Sequence, residues 1–155
     1  AIVVLIFMVI YYARAGFIAD VAVLFNLLLQ MAVLASFGAS MTLPGIAGLA
    51  LTIGMAVDAN VLINERIREE LRTGKSPRAA VDAGYDRAFS AIMDGQLTTL
   101  LSGLVLWQYG TGPMKGFAIT LIVGIAASLY STIFVTRVVF EWWVRGLKTK
   151  ALSIG

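Results

Sequence analysis

From Pro44 to Asn64 the chain runs through twenty-one residues with one charged side chain, Asp58. As α-helix, Pro44 to Glu65 covers about 31 Å at 1.5 Å per residue, one crossing of a hydrocarbon layer about 30 Å thick. Backbone amides and carbonyls in hydrocarbon find no water, so a run of this kind must satisfy them internally, as helix. Everything else the chain can be follows from that constraint.

Composition carries it to the whole sequence. Of 155 residues 59% are hydrophobic and 14% charged, against about 25% charged in a soluble domain. The fold class expected is all-α, a polytopic transmembrane helix bundle. With no cysteine and no histidine, disulfides, thiolate or imidazole metal sites and His-based catalysis fall away. No metal or other cofactor is expected, and proton chemistry must use carboxylates. A net charge of +3 is too small to argue for nucleic acid, and the basic residues flank membrane spans instead.

About five helices are expected, over residues 1–13, 17–37, 45–64, 92–109 and 117–140. The first apolar run, Ala1 to Ala13, is only about 20 Å long as helix, and reads as half of a truncated span. Tyr11, Tyr12 and Arg14 mark an interface; Gly16 permits a tight return and Asp20 sits near the next helix start. Gly38 to Gly45 forms an uncharged turn. Residues 65–91 form an aqueous, amphipathic connector with six Lys/Arg and five Asp/Glu between Glu65 and Arg87. Arg66 with Glu70 and Glu69 with Arg72 have helix pair spacing. Thr73-Gly74-Lys75 breaks the helix, and Ser76-Pro77 restarts one as N-cap and first residue. Its apolar stripe of Val81, Tyr85, Ala88 and Ile92 suits either the membrane surface or a plain hairpin connector. Glu141, Trp142, Trp143 and Arg145 anchor the last span, before a tail with Lys148 and Lys150.

One side of the membrane has Arg14, the six connector cations, Arg145, Lys148 and Lys150, and the other only Lys115. The positive-inside rule makes the heavy side, with connector and tail, cytosolic.

Small residues recur every fourth position: Ala50, Gly54 and Asp58; Gly95, Thr99 and Gly103; Gly116, Thr120, Gly124, Ser128 and Thr132. Such stripes let helix backbones approach closely. Taken singly they mean ordinary packing, but the first carries Asp58, about 10 Å of helix from the boundary at Glu65. A carboxylate there is costly and by default functional. Burial favours its neutral form and a nearby cation its charged form, so a balanced site loads and releases protons. The bland reading is a structural aspartate bonded to Thr52 or Asn60. No Lys or Arg of the chain falls at mid-membrane, so any counter-charge must come from elsewhere. The proton-relay candidates are Asp58 first, then Asn60 and Asp94, with Gly54, Thr98, Thr99 and Gly124 as packing residues around them. Asp94 suits helix capping or a pair with Arg137, and Asn60 and Gln96 are weaker candidates.

Several of these segments, in order and spacing, resemble the SecD family of the RND (resistance–nodulation–division) superfamily. They are Leu43–Gly48, Gly54–Ile63 with its Asp58-Ala59-Asn60 run, Glu65–Arg72, Arg87–Ser90, Asp94 with Leu97–Leu100, and Gly110–Ala118. Asn64 departs from the family's usual aromatic, and Gly95-Gln96 from its common Ala-Asn. The resemblance implies one transmembrane domain over residues 1–155, holding the family's last five membrane helices, in a bacterial or archaeal plasma membrane. It implies proton-motive-force-driven preprotein export beside SecF and the SecYEG translocon, with YajC a further candidate. Unfolded preprotein would be gripped by parts outside this chain, lipid would cover the spans, and nucleic acid plays no part. It also implies that Asp58 is the proton carrier, while Asp94 matches a second motif. Without partner helices the face of Asp58 would lie open to lipid.

Two other readings stand beside it: half of an RND-type exporter of small molecules or lipids, and a scaffold in which Asp58 is a packing lock. An enzyme is not expected, for want of a nucleophile–base pair, metal cluster or phosphate loop.

Overall fold

A computed structural model describes residues 2–36, 38 and 42–146. It contains α1 (Ile2–Tyr12), α2 (Arg14–Ser36), α3 (Leu43–Arg72), α4 (Pro77–Tyr109), α5 (Pro113–Tyr130), a π-helical turn (Ser131–Val135) and α6 (Thr136–Gly146). Among the described residues four rods are long and apolar enough to cross a membrane: α2, α3, α4 and the α5–π–α6 run Pro113–Trp143. The short α1 packs beside α2. The expected all-α transmembrane bundle is what the described residues form. Phe37, residues 39–41 and the tail with Lys148 and Lys150 lie outside the description.

The first turn differs from expectation. The chain reverses at Ala13, whose φ is +51°, a left-handed conformation that L-residues seldom adopt. Gly16 lies beyond it, in the first turns of α2, and lets the two arms touch: a Cβ there would stand 2.0 Å from the Met8 carbonyl oxygen. Asp20 lies further along the helix and is buried.

Thr42 caps α3, accepting from the Gly45 amide at 3.2 Å, with Pro44 in the first turn. The helix continues for 30 residues, about 45 Å, so its last turns project past a hydrocarbon layer. It stops at Thr73, and Gly74 takes φ +89°. Ser76 then caps α4, with Pro77 at its start. The connector's amphipathic segment and the fourth apolar run are one uninterrupted helix of 33 residues.

The two ends of the bundle are packed by different means. On the charged side an apolar core joins Met8, Tyr12, Ala19, Ile63, Ile67, Val81, Tyr85, Ala88 and Phe140. Gly84 lets α4 cross α3 there, since a Cβ would meet Ile67 Cγ1 at 2.5 Å. Towards the other side α3 and α5 meet through small residues: Gly45 and Gly48 face Thr120, and Gly124 faces Thr52 and Gln30. Many large side chains point outward instead, among them Ile2, Phe7, Leu28, Leu101, Val105 and Phe134, the surface a lipid-facing bundle presents.

Several ion pairs depart from the expected spacing. Arg66 pairs with Glu69 at 2.8 Å, not with Glu70, and Glu65 with Arg68 at 3.8 Å. The buried Glu70 turns instead to the α3–α4 hairpin, bonded to Lys75 and paired with Arg87 at 2.8 Å. Tyr12 donates its hydroxyl to Glu65 at 2.7 Å and Arg68 lies 5.3 Å from the Tyr11 ring, tying α1 to the charged end of α3.

Candidate functional site

Asp58 sits in α3, four residues beyond Gly54, and its side chain is exposed. It lines an open cleft of about 220 Å³ between α3 and α4, with Met55, Ala59, Leu62, Ala91, Ile92, Gly95, Gln96 and Thr99. The α4 side shows why the cleft exists. Ala91, Gly95 and Thr99 stand four residues apart on one face, and Gly95 has open space where a Cβ would be. Among the described residues Asp58 takes part in no hydrogen bond or ion pair. It is a carboxylate in an apolar, glycine-lined cleft, able to meet a proton donor, a cation or another helix from outside the chain.

The predicted site residues divide. Thr99 joins Asp58 in the cleft, its hydroxyl turned back to the Gly95 carbonyl at 3.0 Å. Asp94 and Thr98 lie on the neighbouring exposed face of α4, Thr98 bonding the Asp94 carbonyl at 2.8 Å. Asp94 is mid-helix, well past the cap at Ser76, so capping is not its role. Nor does it meet Arg137. That guanidinium pairs with Asp82 at 3.6 Å and Glu141 at 3.2 Å, because Asp94 lies twelve residues beyond Asp82, about 18 Å along α4.

Asn60 faces the bundle interior. It is buried, donates from Nδ2 to the Ala56 carbonyl at 3.0 Å and accepts from the Thr136 hydroxyl at 3.3 Å. Two residues turn a helix by about 200°, which sets Asn60 opposite Asp58. Thr52 is committed elsewhere, bonding Gln30 Oε1 at 3.1 Å. Neither residue locks Asp58.

Gly54 does not act as a packing residue among the described residues, for a Cβ there would meet nothing within 4 Å of them. It borders a second apolar opening with Val4, Ala50, Ile53 and Val57. Gly124 does pack tightly, but on the Gln30–Thr52 side, where a Cβ would stand 2.3 Å from Thr52 Cγ2. Gly103 lets α4 approach α5, since a Cβ there would stand 3.1 Å from Ile122 Cγ1. Thr136 and Ser131 were missed in the sequence; their spacing to Ser128 and Thr132 within one apolar run was the available signal. Gln96, ranked low, is buried within the cleft wall.

Known proteins share the sequence and the fold of this chain. The family described as protein export membrane protein SecD/SecF, C-terminal, matches residues 1–146. The protein translocase subunit SecD of Syntrophobacter fumaroxidans is 59% identical over 97% of this chain and 28% of its own length. That of Anaeromyxobacter dehalogenans is 57% identical over 92% of this chain and 23% of its own. The chain thus spans roughly a quarter of the curated relatives it matches. A crystal structure of SecDF in a super-membrane-facing form superposes with a TM-score of 0.90 at 40% identity, over 97% of this chain and 21% of that one. SecDF from Thermus thermophilus, described as a translocon-associated membrane protein, gives 0.87 at 41% identity, over 94% and 20%. With its helices, its open carboxylate cleft and this match along nearly its whole described length, the chain belongs to the SecD/SecF C-terminal family of protein export membrane proteins.

Proposed function

We propose that the chain is the membrane module of a Sec translocase accessory subunit, using the proton-motive force to promote preprotein export, with Asp58 as its proton carrier. One observation carries this reading. The only acidic side chain between Pro44 and Asn64 lies in an open cleft of α3 and α4, unpaired among the described residues. An intramembrane carboxylate of that kind is costly in isolation, and a second set of helices laid over the cleft supplies what it lacks. SecF is the partner proposed for that face, with SecYEG as the channel served; YajC is a further associate. The charged ends of α3 and α4 lie in the cytosol, as the Lys/Arg asymmetry supports.

A proton crossing 100 mV releases about 2.3 kcal/mol, enough to bias a conformational cycle when several are used per stroke. The chain's own contribution is to hold and release the proton at the Asp58 carboxylate and to carry the resulting change along rigid helices. Asp58→Asn in the full-length protein with its partner tests the proposal, through export rates with and without a proton gradient. Loss of the gradient-dependent part, with assembly intact, is expected. Unchanged export makes Asp58 a packing group and the subunit a scaffold.

A further inference from the structure

The face of α3 opposite Asp58 borders a column of buried polar side chains whose bonds close at both ends but not between. At one end Gln30 donates to the Thr120 carbonyl at 3.1 Å and accepts from the Thr52 hydroxyl at 3.1 Å. Gly124 makes room for both. At the other end Thr136 donates to Asn60 at 3.3 Å.

One helical turn separates each step of this column. Asn26 precedes Gln30 by four residues on α2, while Ala56 and Ser128 follow Thr52 and Gly124 by four on α3 and α5. Since α2 runs against the other two, all three steps lead the same way, about 6 Å towards the charged side. The next turn brings Asn60, Ser131 and Thr132. Asn26 and Ser128 are 1% exposed, Ser131 and Thr132 0%. Both amide atoms of Asn26 and the hydroxyls of Ser128, Ser131 and Thr132 find no hydrogen-bond partner among the described residues.

This stretch is also where the last rod leaves α-helical geometry, through the π-helical turn Ser131–Val135. A π turn widens a helix and loosens its backbone ladder; here the Ser131 carbonyl accepts from the Thr136 hydroxyl at 3.2 Å. Opposite stands Ala56, which is fully buried and small. The groups collected there include an amide with two donors and an acceptor, and three hydroxyls that do either. Water, which both donates and accepts, answers that set. A bare cation does not, because the Asn26 amide brings N–H groups into the same space. Buried waters in proteins are held by two to four polar groups of this kind.

We propose that the interior between α2, α3 and the π turn binds a short file of ordered water molecules, held by Asn26, Ser128, Ser131 and Thr132. The site is separate from the Asp58 cleft and does not depend on Asp58 carrying protons.

The chain contains no cysteine, so a single thiol within it reports cleanly. In the full-length protein, with any cysteine elsewhere replaced, Ser128→Cys is compared with Ala127→Cys, its buried neighbour at the same depth but about 100° away around the helix. The infrared S–H band is followed as it converts to S–D in heavy water. A hydrated column makes the thiol of S128C exchange on the order of tenfold faster than that of A127C. Equal, slow exchange overturns the proposal. Should S128C fail to fold, Thr132→Cys is read against the same control, with the same two outcomes.

Discussion

Asp58 and Asn60 stand two residues apart on α3 and face opposite ways, one into an open cleft and the other into the closed interior against Thr136. Their roles separate accordingly. Under the proposed function, Asp58→Asn is expected to remove gradient-dependent export and to leave the fold intact. Asn60→Ala removes one of the two bonds of the Thr136 hydroxyl, which keeps the Ser131 carbonyl as acceptor, and is expected to lower stability by about 1 kcal/mol, while the gradient dependence of whatever protein assembles is unchanged. Thermal unfolding and export assays on the two variants, run side by side, check the division.

The glycines divide in the same manner. Gly124→Ala drives a methyl group to within 2.3 Å of Thr52 and 2.5 Å of Gln30, and overpacking of this kind costs about 1–3 kcal/mol. Among the described residues a Cβ at Gly54 meets nothing within 4 Å, so for Gly54→Leu helix content and thermal midpoint are expected to hold. Its effect falls on assembly: co-purification with SecF is expected to drop, because the added side chain projects from the face proposed for the partner. Full co-purification of the Gly54→Leu protein would place SecF elsewhere.

The α3–α4 hairpin responds to acid through Glu70. The hydrogen bond from Lys75 holds its carboxyl below the ordinary 4.5; burial opposes this, and the charge of Arg87 adds to it. A group lowered in this way contributes stability that is complete above pH 4.5 and is lost as the pH falls through the lowered value. Lys75 and Arg87 are substantially exposed, so salt weakens the clamp. Hydrogen exchange of the hairpin amides, corrected for intrinsic rates, is expected to quicken under acid and under high salt in the parent protein. Glu70→Gln quickens it at neutral pH and flattens the acid response.

Tyr12→Phe removes the 2.7 Å bond to Glu65 while keeping the ring in the core. A loss of about 1 kcal/mol is expected, concentrated in α1. Protease sensitivity near Ala13 measures it, and an unchanged cleavage rate would mean that ring packing alone holds α1.

The helical bundle was legible because lipid leaves the backbone one solution and because hydropathy marks the segments long and apolar enough to cross. The helix break at Gly74 and the cap at Ser76 were legible from turn and capping chemistry. Side-chain partners were not. Asp94 with Arg137 and Arg66 with Glu70 were reasoned from depth and spacing, whereas the contacts depend on how far α4 runs before the last rod crosses it. The turn at Ala13 carries no sequence signal, since alanine seldom adopts a positive φ; it follows from the close approach of Met8 and Gly16. Asp58 itself could be found by its chemistry alone, and the structure adds which residues share its cleft.

Helix α3 has no break between Asp58 and Glu70, about 18 Å along its axis, and Glu70 fastens that end to α4 through Lys75 and Arg87. The carboxylate is therefore one point on a stiff lever whose handle lies outside the apolar layer. A push on the handle reaches Asp58 without an intervening joint, and a change of force at Asp58 reaches the handle just as directly. Under the proposed function, mechanical work and proton occupancy share one moving part.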